Sequence, residues 1–195
     1  MTQKDNLKSL ILGILEECGE IPKVKLAKMI LFSEIEHFKK TGHSFTNLYF
    51  VRLKKGPVIA FFDEVLDGHV GTNWNKKITE IPIYEEARPK QQFLYSAVEK
   101  AVLPVEVQET IKEVCEKFGK MTGTKLSELS HQLPAWKYSE PNEPIFVSEL
   151  TIEIDKEYFE LMDLVEELEE VSESDEDRLL GQELSRVLPP AEVGV

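Results

Sequence analysis

Two cysteines, Cys18 and Cys115, are all the chain has in 195 residues. They fall in separate helical patterns far apart in sequence, which predicts reduced thiols in a cytoplasmic protein, not a disulfide scaffold. No run of about 18 apolar residues occurs, so no membrane-spanning segment is expected. The opening Met1-Thr2-Gln3-Lys4-Asp5 lacks the apolar stretch of a secretory signal. Basic residues are in deficit, 23 Lys+Arg against 36 Asp+Glu, for a net charge of −13. That balance argues against a chain-wide grip on nucleic acid, which needs basic surface. The chain also lacks a GxxxxGK[ST] phosphate loop, a GxGxxG fingerprint, a GxSxG elbow and HExxH. Apolar residues are not in short supply. At 42% of the chain they exclude wholesale disorder.

The acidity is concentrated. Residues 1–138 carry 20 Lys+Arg and 18 Asp+Glu, a net of +2, whereas residues 139–195 carry 3 and 18, a net of −15. This predicts a near-neutral domain over residues 1–150 and an acidic C-terminal extension over 151–195.

Helical spacing of Leu7, Leu10, Ile11, Ile14 and Leu15 predicts a first helix over 4–17, capped by Asp5 or Asn6 and stopped at Gly19. Pro22 suits the first position of a second helix running to about Lys40, with Ala27, Ile30, Leu31, Ile35 and Phe38 as its apolar stripe and Gly42 as its stop. Leu48–Leu53 reads as a short strand and Lys55-Gly56-Pro57 as a turn. Pro57 fits the start of a third helix with Val58, Phe61, Phe62, Val65 and Leu66 inward. Ile78, Ile81, Ile83 and Tyr84 suggest an edge strand around Pro82. Helices are expected from Phe93 to Leu103 and, beyond Pro104, over 105–118. Thr124 or Ser127 opens a short helix that ends before Pro134. Pro144–Val147 is extended, and Lys156–Val171 is amphipathic and acidic on its outer face. The fold class is α+β, mainly α-helical: a compact helical domain with a few short strands and an acidic helical extension.

Candidate chemistry is sparse. Glu34 and His37 share a helix face with His43 nearby, but di-iron bundles use Glu-x-x-His twice, with two further Glu. A solvated helix face ending in a turn is the simpler reading. Lys23, Lys25, Lys28 and Lys54-Lys55 could form a phosphate-binding face, yet the first three sit near a helix start, where the dipole disfavours cations. Ordinary solvated lysines, or a shared acceptor, are the alternatives. Cys18 has no local partner for thiol chemistry. His131 and Trp136 are the most distinctive pair, read as a buried joint in which imidazole and indole lock a turn through hydrogen bonds. No catalytic residue, metal ligand set or cofactor is assigned.

Lys25-Leu26-Ala27-Lys28-Met29-Ile30-Leu31-Phe32-Ser33-Glu34, Thr41-Gly42, Tyr49, Gly56-Pro57-Val58, Leu126-Ser127 and His131 through Trp136 follow one another in an order that resembles the SocA-like antitoxin family, the Panacea domain. The match spans residues 22–138, about 60% of the chain. Many family sequences have an aromatic where this chain has Leu31. The resemblance implies an intracellular bacterial or phage protein, often encoded beside a toxin that it neutralises by binding. At least one member is a proteolytic adaptor that hands its toxin to the ClpXP protease. The resemblance implies no catalytic activity, since the family is not known for catalysis. Lys25, Lys28, Gly56, Pro57, His131 and Trp136 stand at family-motif positions.

On these grounds the expected partner is a cognate toxin protein. Delivery to a ClpXP-type protease and homodimerisation are alternatives, and neither membrane nor direct nucleic-acid binding is expected. Tyr158, Phe159, Met162 and Val165 are candidate partner-binding residues on the acidic extension, which could enter a basic toxin cleft as a polyanion mimic. The apolar Val193-Gly194-Val195 would be a handle for an adaptor. An enzyme reading draws on Glu34, His37, His43, His69 and His131.

Overall fold

Helix α1 (Gln3–Cys18) begins where Thr2 Oγ1 accepts the Asp5 N–H at 3.1 Å and the Asp5 carboxylate accepts the Thr2 N–H at 2.8 Å. This computed structural model describes residues 2–81 and 90–152. The cap is Thr2, not Asp5 or Asn6, because a reciprocal box needs the acid three residues inside the helix. Leu7, Leu10, Ile11, Ile14 and Leu15 are buried as the spacing predicts, and the helix stops at Gly19 with φ +73°.

A two-residue strand, β1 (Ile21–Pro22), leads into α2 (Lys23–Thr41), which ends on left-handed Gly42. Pro22 is the N-cap and not the first helical residue. The predicted stripe is too narrow: every residue from Leu26 to Ile35 is buried, including Lys28, Ser33 and Glu34. A helix buried all round lies inside the fold.

Strand β2 (Phe50–Val51) pairs antiparallel with β3 (Val58–Ile59) and with β6 (Pro144–Ile145), so that Phe50 faces both Ile59 and Ile145. Pro57 therefore leads into a strand. The third helix, α3 (Phe62–Gly68), starts five residues later than the proline suggests, after Phe61, whose φ is +62° and whose side chain is exposed. β-Branched Val58 and Ile59 suit the ladder better than a first helical turn.

A second sheet has the order β1–β5–β4, built on a hairpin of β4 (Trp74–Ile81) and β5 (Lys90–Ala97). The helix expected from Phe93 is this second strand. Tyr95 faces Ile21 on one side and Lys76 on the other, and ladder pairing overrides the local spacing. Trp74 and Tyr95 are fully buried, and Trp74 Nε1 donates to the Leu66 carbonyl at 2.8 Å, fastening the hairpin to α3. The edge strand reaches Ile78 and Ile81 as expected but begins earlier, at Trp74; Pro82, Ile83 and Tyr84 lie outside the described residues.

Helix α4 (Val105–Phe118) follows Pro104 and buries Val107, Ile111, Val114 and Phe118. Helix α5 (Gly123–Ser130) is capped by Thr122, whose Oγ1 accepts the Lys125 N–H, upstream of the Thr124 or Ser127 expected. Two single turns, α6 (Pro134–Lys137) and α7 (Val147–Leu150), flank β6. The described residues belong to one unit, Met1–Ile152. The helix expected over 156–171 lies outside them.

The expectation of reduced thiols is overturned. Cys18 and Cys115 form a disulfide with their Cα atoms 6.0 Å apart, across a sequence separation of 97. The cause is packing: α1 and α4 lie side by side, so cysteines remote in sequence meet at the rim of the core. Closing a loop of that length restricts the unfolded chain and stabilises the fold by up to about 4–5 kcal/mol in the chain-entropy account. Reduction with a dithiol should therefore lower the melting temperature, whereas Cys18→Ser/Cys115→Ser protein should melt at that lower temperature with or without reductant. A thermal melt of both proteins in both conditions checks this.

Candidate functional site

Three chain segments converge beside the middle of α2. Lys28, 1% exposed, points from α2 to the turn after β2, where its Nζ donates to the Pro57 carbonyl at 2.8 Å. Gly56 has φ +92°, a region open to glycine, and a Cβ placed there would lie 2.1 Å from Ser130 Oγ and 2.6 Å from Lys28 Nζ. The α5–α6 corner closes the other side. Ser130 is fully buried and its hydroxyl donates to the Ser127 carbonyl at 2.8 Å. His131 follows as the C-cap of α5. Its imidazole lies on the Trp136 ring with centroids 4.0 Å apart and planes 12° from parallel. Trp136 Nε1 then donates to the Leu53 carbonyl at 3.0 Å, which returns the chain of contacts to the turn.

Arg52 completes the stack. Its guanidinium lies 4.8 Å from the Trp136 ring, and its Nε donates a long 3.4 Å bond to the Trp136 carbonyl. A shallow groove of about 430 Å³ opens here, lined by Arg52, Leu53, Lys54, Trp136, Pro141 and Asn142.

Crowding the cations Lys28 and Arg52 around His131 sets the protonation states. Burial pushes the Lys28 ammonium down to about 7. Burial also lowers the His131 pKa, and the nearby charges of Lys28 and Arg52 push it the same way. A neutral His131 is the form that stacks without a third positive charge. Its buried Nε2 has no hydrogen-bond partner among the described residues.

The structure thus brings together five of the six residues expected at family-motif positions, Lys28, Gly56, Pro57, His131 and Trp136. The joint read from His131 and Trp136 is there, but it is made by ring stacking plus one indole hydrogen bond, not by bonds from both rings. Lys25 stands apart: its Nζ donates to the Gly119 carbonyl just past α4. Among the described residues the lysines have no shared acceptor, since Lys23 pairs with Asp63 at 2.9 Å while Lys25 and Lys28 go to two different carbonyls. Nor is Lys28 a solvated lysine, because α2 is central to the fold and carries it inside.

The Glu34 region also departs from a solvated face. Glu34, 1% exposed, accepts Ser44 Oγ at 2.8 Å, Phe45 N–H at 3.1 Å and Thr46 N–H at 2.9 Å. Its carboxylate ties down the loop after α2. His43 Nδ1 lies 2.8 Å from the Thr41 carbonyl, and His69 packs edge-on against Trp74. Among the described residues no group of three His, Cys, Asp or Glu side chains is placed to hold a metal ion. Tyr158, Phe159, Met162 and Val165 lie outside the described residues.

Two contributors were not singled out from sequence. Ser130 is an ordinary serine until its packing on Gly56 is seen. Arg52 carried one available signal, its position just before the Lys54-Lys55-Gly56-Pro57 turn.

A family model described as antitoxin SocA-like, Panacea domain, matches residues 26–137. Neither a curated protein nor a solved structure matches the chain. Among the described residues no helix is long and apolar enough to cross a membrane.

The buried amine has a measurable consequence. In the unfolded chain Lys28 keeps its proton up to about 10.4, whereas in the fold it releases it near 7. Between those values the unfolded state binds more protons, so stability rises with pH, by up to about 1.4 kcal/mol per unit for this one group. Lys28→Met should lose that component of the slope. Denaturant unfolding of both proteins at pH 7 and pH 9 reads it directly. Gly56→Ala should cost more than about 1 kcal/mol from the left-handed backbone alone.

Proposed function

The chain belongs to the SocA-like antitoxin family through its Panacea domain, and on that premise we propose that it neutralises a cognate toxin protein by binding it directly. The family match over residues 26–137 carries this reading. Membership gives the chain a role in a toxin–antitoxin system and a toxin as its partner in general terms. The side-chain arrangement supports a binding scaffold. Lys28, Gly56, Pro57, His131 and Trp136 hold three segments together, and the Ser130 hydroxyl is engaged with the Ser127 carbonyl. A nucleophile activated by His131 would need that hydroxyl turned toward the imidazole.

Residues 139–195, with a net charge of −15, supply the second part of the reading. Toxins that act on nucleic acids or nucleotides often have basic clefts, and a polyanionic segment speeds encounter with such a cleft. Tyr158, Phe159, Met162 and Val165 would give that segment an apolar anchor. The domain boundary near residue 150 and the role of these four residues belong to this proposal.

The test is co-expression with the toxin encoded by the neighbouring reading frame. The full chain should restore growth and co-purify with the toxin. A chain lacking residues 156–195 should fail to neutralise while its thermal melt stays cooperative; unchanged toxin binding by that deletion removes the extension from the reading. Toxin half-life separates inhibition from delivery to a ClpXP-type protease. Inhibition leaves the half-life unchanged or longer, and a shortened half-life replaces direct inhibition with the adaptor mechanism.

A further inference from the structure

The groove beside Trp136 has the charge and rigidity of a binding site. Among the described residues its lining supplies two cations, Arg52 and Lys54, while Glu140 and Glu143 flank the lining residues Pro141 and Asn142 in the chain. Among the described residues Lys4, Lys23, Lys40, Lys76 and Lys125 each pair with a carboxylate, whereas Lys55, Lys77, Lys112 and Lys120 do not, so what marks Arg52 and Lys54 is that they share one groove. Neither Arg52 nor Lys54 has such a partner among the described residues. Arg52 commits only its Nε, to a carbonyl 3.4 Å away, which leaves the outer N–H groups of the guanidinium for a ligand. Those groups form a planar fork that matches a carboxylate with two parallel bonds.

The fork is also held in place. The Arg52 N–H donates to the Glu143 carbonyl at 3.0 Å, and its own carbonyl accepts the Asn142 N–H at 2.9 Å. The indole beneath the guanidinium is fixed by His131 and by the Leu53 carbonyl. A site whose side chains are ordered before the ligand arrives loses less entropy on binding. Tryptophan and arginine are, in addition, the residues that most often dominate protein–protein affinity.

We propose that this groove receives an acidic segment of the toxin polypeptide. One carboxylate side chain of that segment sits on the Arg52 fork and the Lys54 ammonium. A neighbouring apolar side chain lies on the Trp136 ring and Pro141. A peptide is favoured over nucleic acid because an extended polyphosphate running past Arg52 and Lys54 would meet Glu140 and Glu143, which flank the lining residues Pro141 and Asn142. A short segment can seat one carboxylate on Arg52 and Lys54 without running past them. The identity of the occupant rests on the reading of the chain as a toxin-binding protein; the chemistry of the groove does not.

The experiment uses the full chain and three probes in calorimetric titrations. One is a blocked hexapeptide, Glu-Leu-Asp-Glu-Phe-Asp; the second is its Gln/Asn counterpart; the third is oligo-dT. The acidic peptide should bind, and its affinity should fall with added salt. Affinity should drop at least tenfold in Lys54→Glu, an exposed position where folding is safe, and in Arg52→Gln. Arg52→Lys, which keeps the charge but loses the fork, should fall in between. Thermal melts establish that each variant is folded. Equal binding of both peptides, no binding of either, or preference for oligo-dT overturns the inference. Co-expression with the toxin separates the two readings. If the wild type and Lys54→Glu neutralise equally, the groove assignment fails and the antitoxin reading stands. If the wild type does not neutralise, the antitoxin reading fails, and the peptide titration still decides what the groove binds.

Discussion

Helix α2 is buried from Leu26 to Ile35, where a charged side chain must find a partner or cost the fold stability; Lys28 and Glu34 find theirs, while the Ser33 hydroxyl has none among the described residues. Much of the surrounding chain is arranged by that demand. Lys25 takes the Gly119 carbonyl beyond α4. Lys28 takes the Pro57 carbonyl at the turn after β2. Glu34 takes two backbone N–H groups and a hydroxyl from residues 44–46. One helix therefore anchors three loops through polar contacts as well as packing. The two buried charges act on opposite chain polarities, an ammonium on a carbonyl and a carboxylate on amides, so neither could replace the other.

The Lys28 contact propagates outward. Holding the Pro57 carbonyl places Gly56 against Ser130, and the approach is so close that a side chain at Gly56 would collide with both. Ser130 and His131 end α5, and the imidazole then sets the plane of Trp136. Trp136 in turn returns a hydrogen bond to Leu53 and supports the Arg52 guanidinium. A buried amine is thereby linked, through stacked rings, to a cation at the surface. Lowered basicity at Lys28 and His131 follows from the same crowding: burial disfavours their charged forms, and for His131 the neighbouring cations add to it. The joint thus tolerates several basic groups because two of them give up charge readily.

Sequence periodicity was informative where structure is local. The extents of α1, α2 and α4 follow from apolar spacing, and Gly19, Gly42 and Pro104 mark their ends. It misled where partners come from elsewhere. Residues 93–97 have helix-compatible spacing, but Ile21 and β4 supply a ladder that only the tertiary fold brings near. Pro57 has the geometry of a helix start, yet Phe50 and Val51 recruit the next two residues into a strand. The disulfide could not be read from two cysteines 97 positions apart, because spacing says nothing about which helices pack. At the site, the glycine, proline, histidine and tryptophan stand out by residue type. Lys28 does not, since a lysine near a helix start reads as solvated until the helix is known to be central. Arg52 and Ser130 acquire meaning only from what touches them.

The two contacts proposed for the toxin have opposite sign, and that bears on specificity. An acidic extension with 15 Asp+Glu against 3 Lys+Arg over residues 151–195 would attract any basic protein, so by itself it discriminates poorly. A rigid cationic groove adds a condition that a uniformly basic surface cannot meet, since it repels such a surface at Arg52 and Lys54. Only a partner with a basic region and a separate acidic segment satisfies both. Discrimination of this kind comes from repulsion as much as from attraction. It also makes the two contacts respond differently to change in the partner: altering the toxin's net charge weakens one and strengthens the other, whereas rearranging its charges at constant net charge can abolish both. Recognition would then track the pattern of charge on the toxin, and a scaffold held by buried contacts could serve many toxins by changing only the residues at the groove and along the extension.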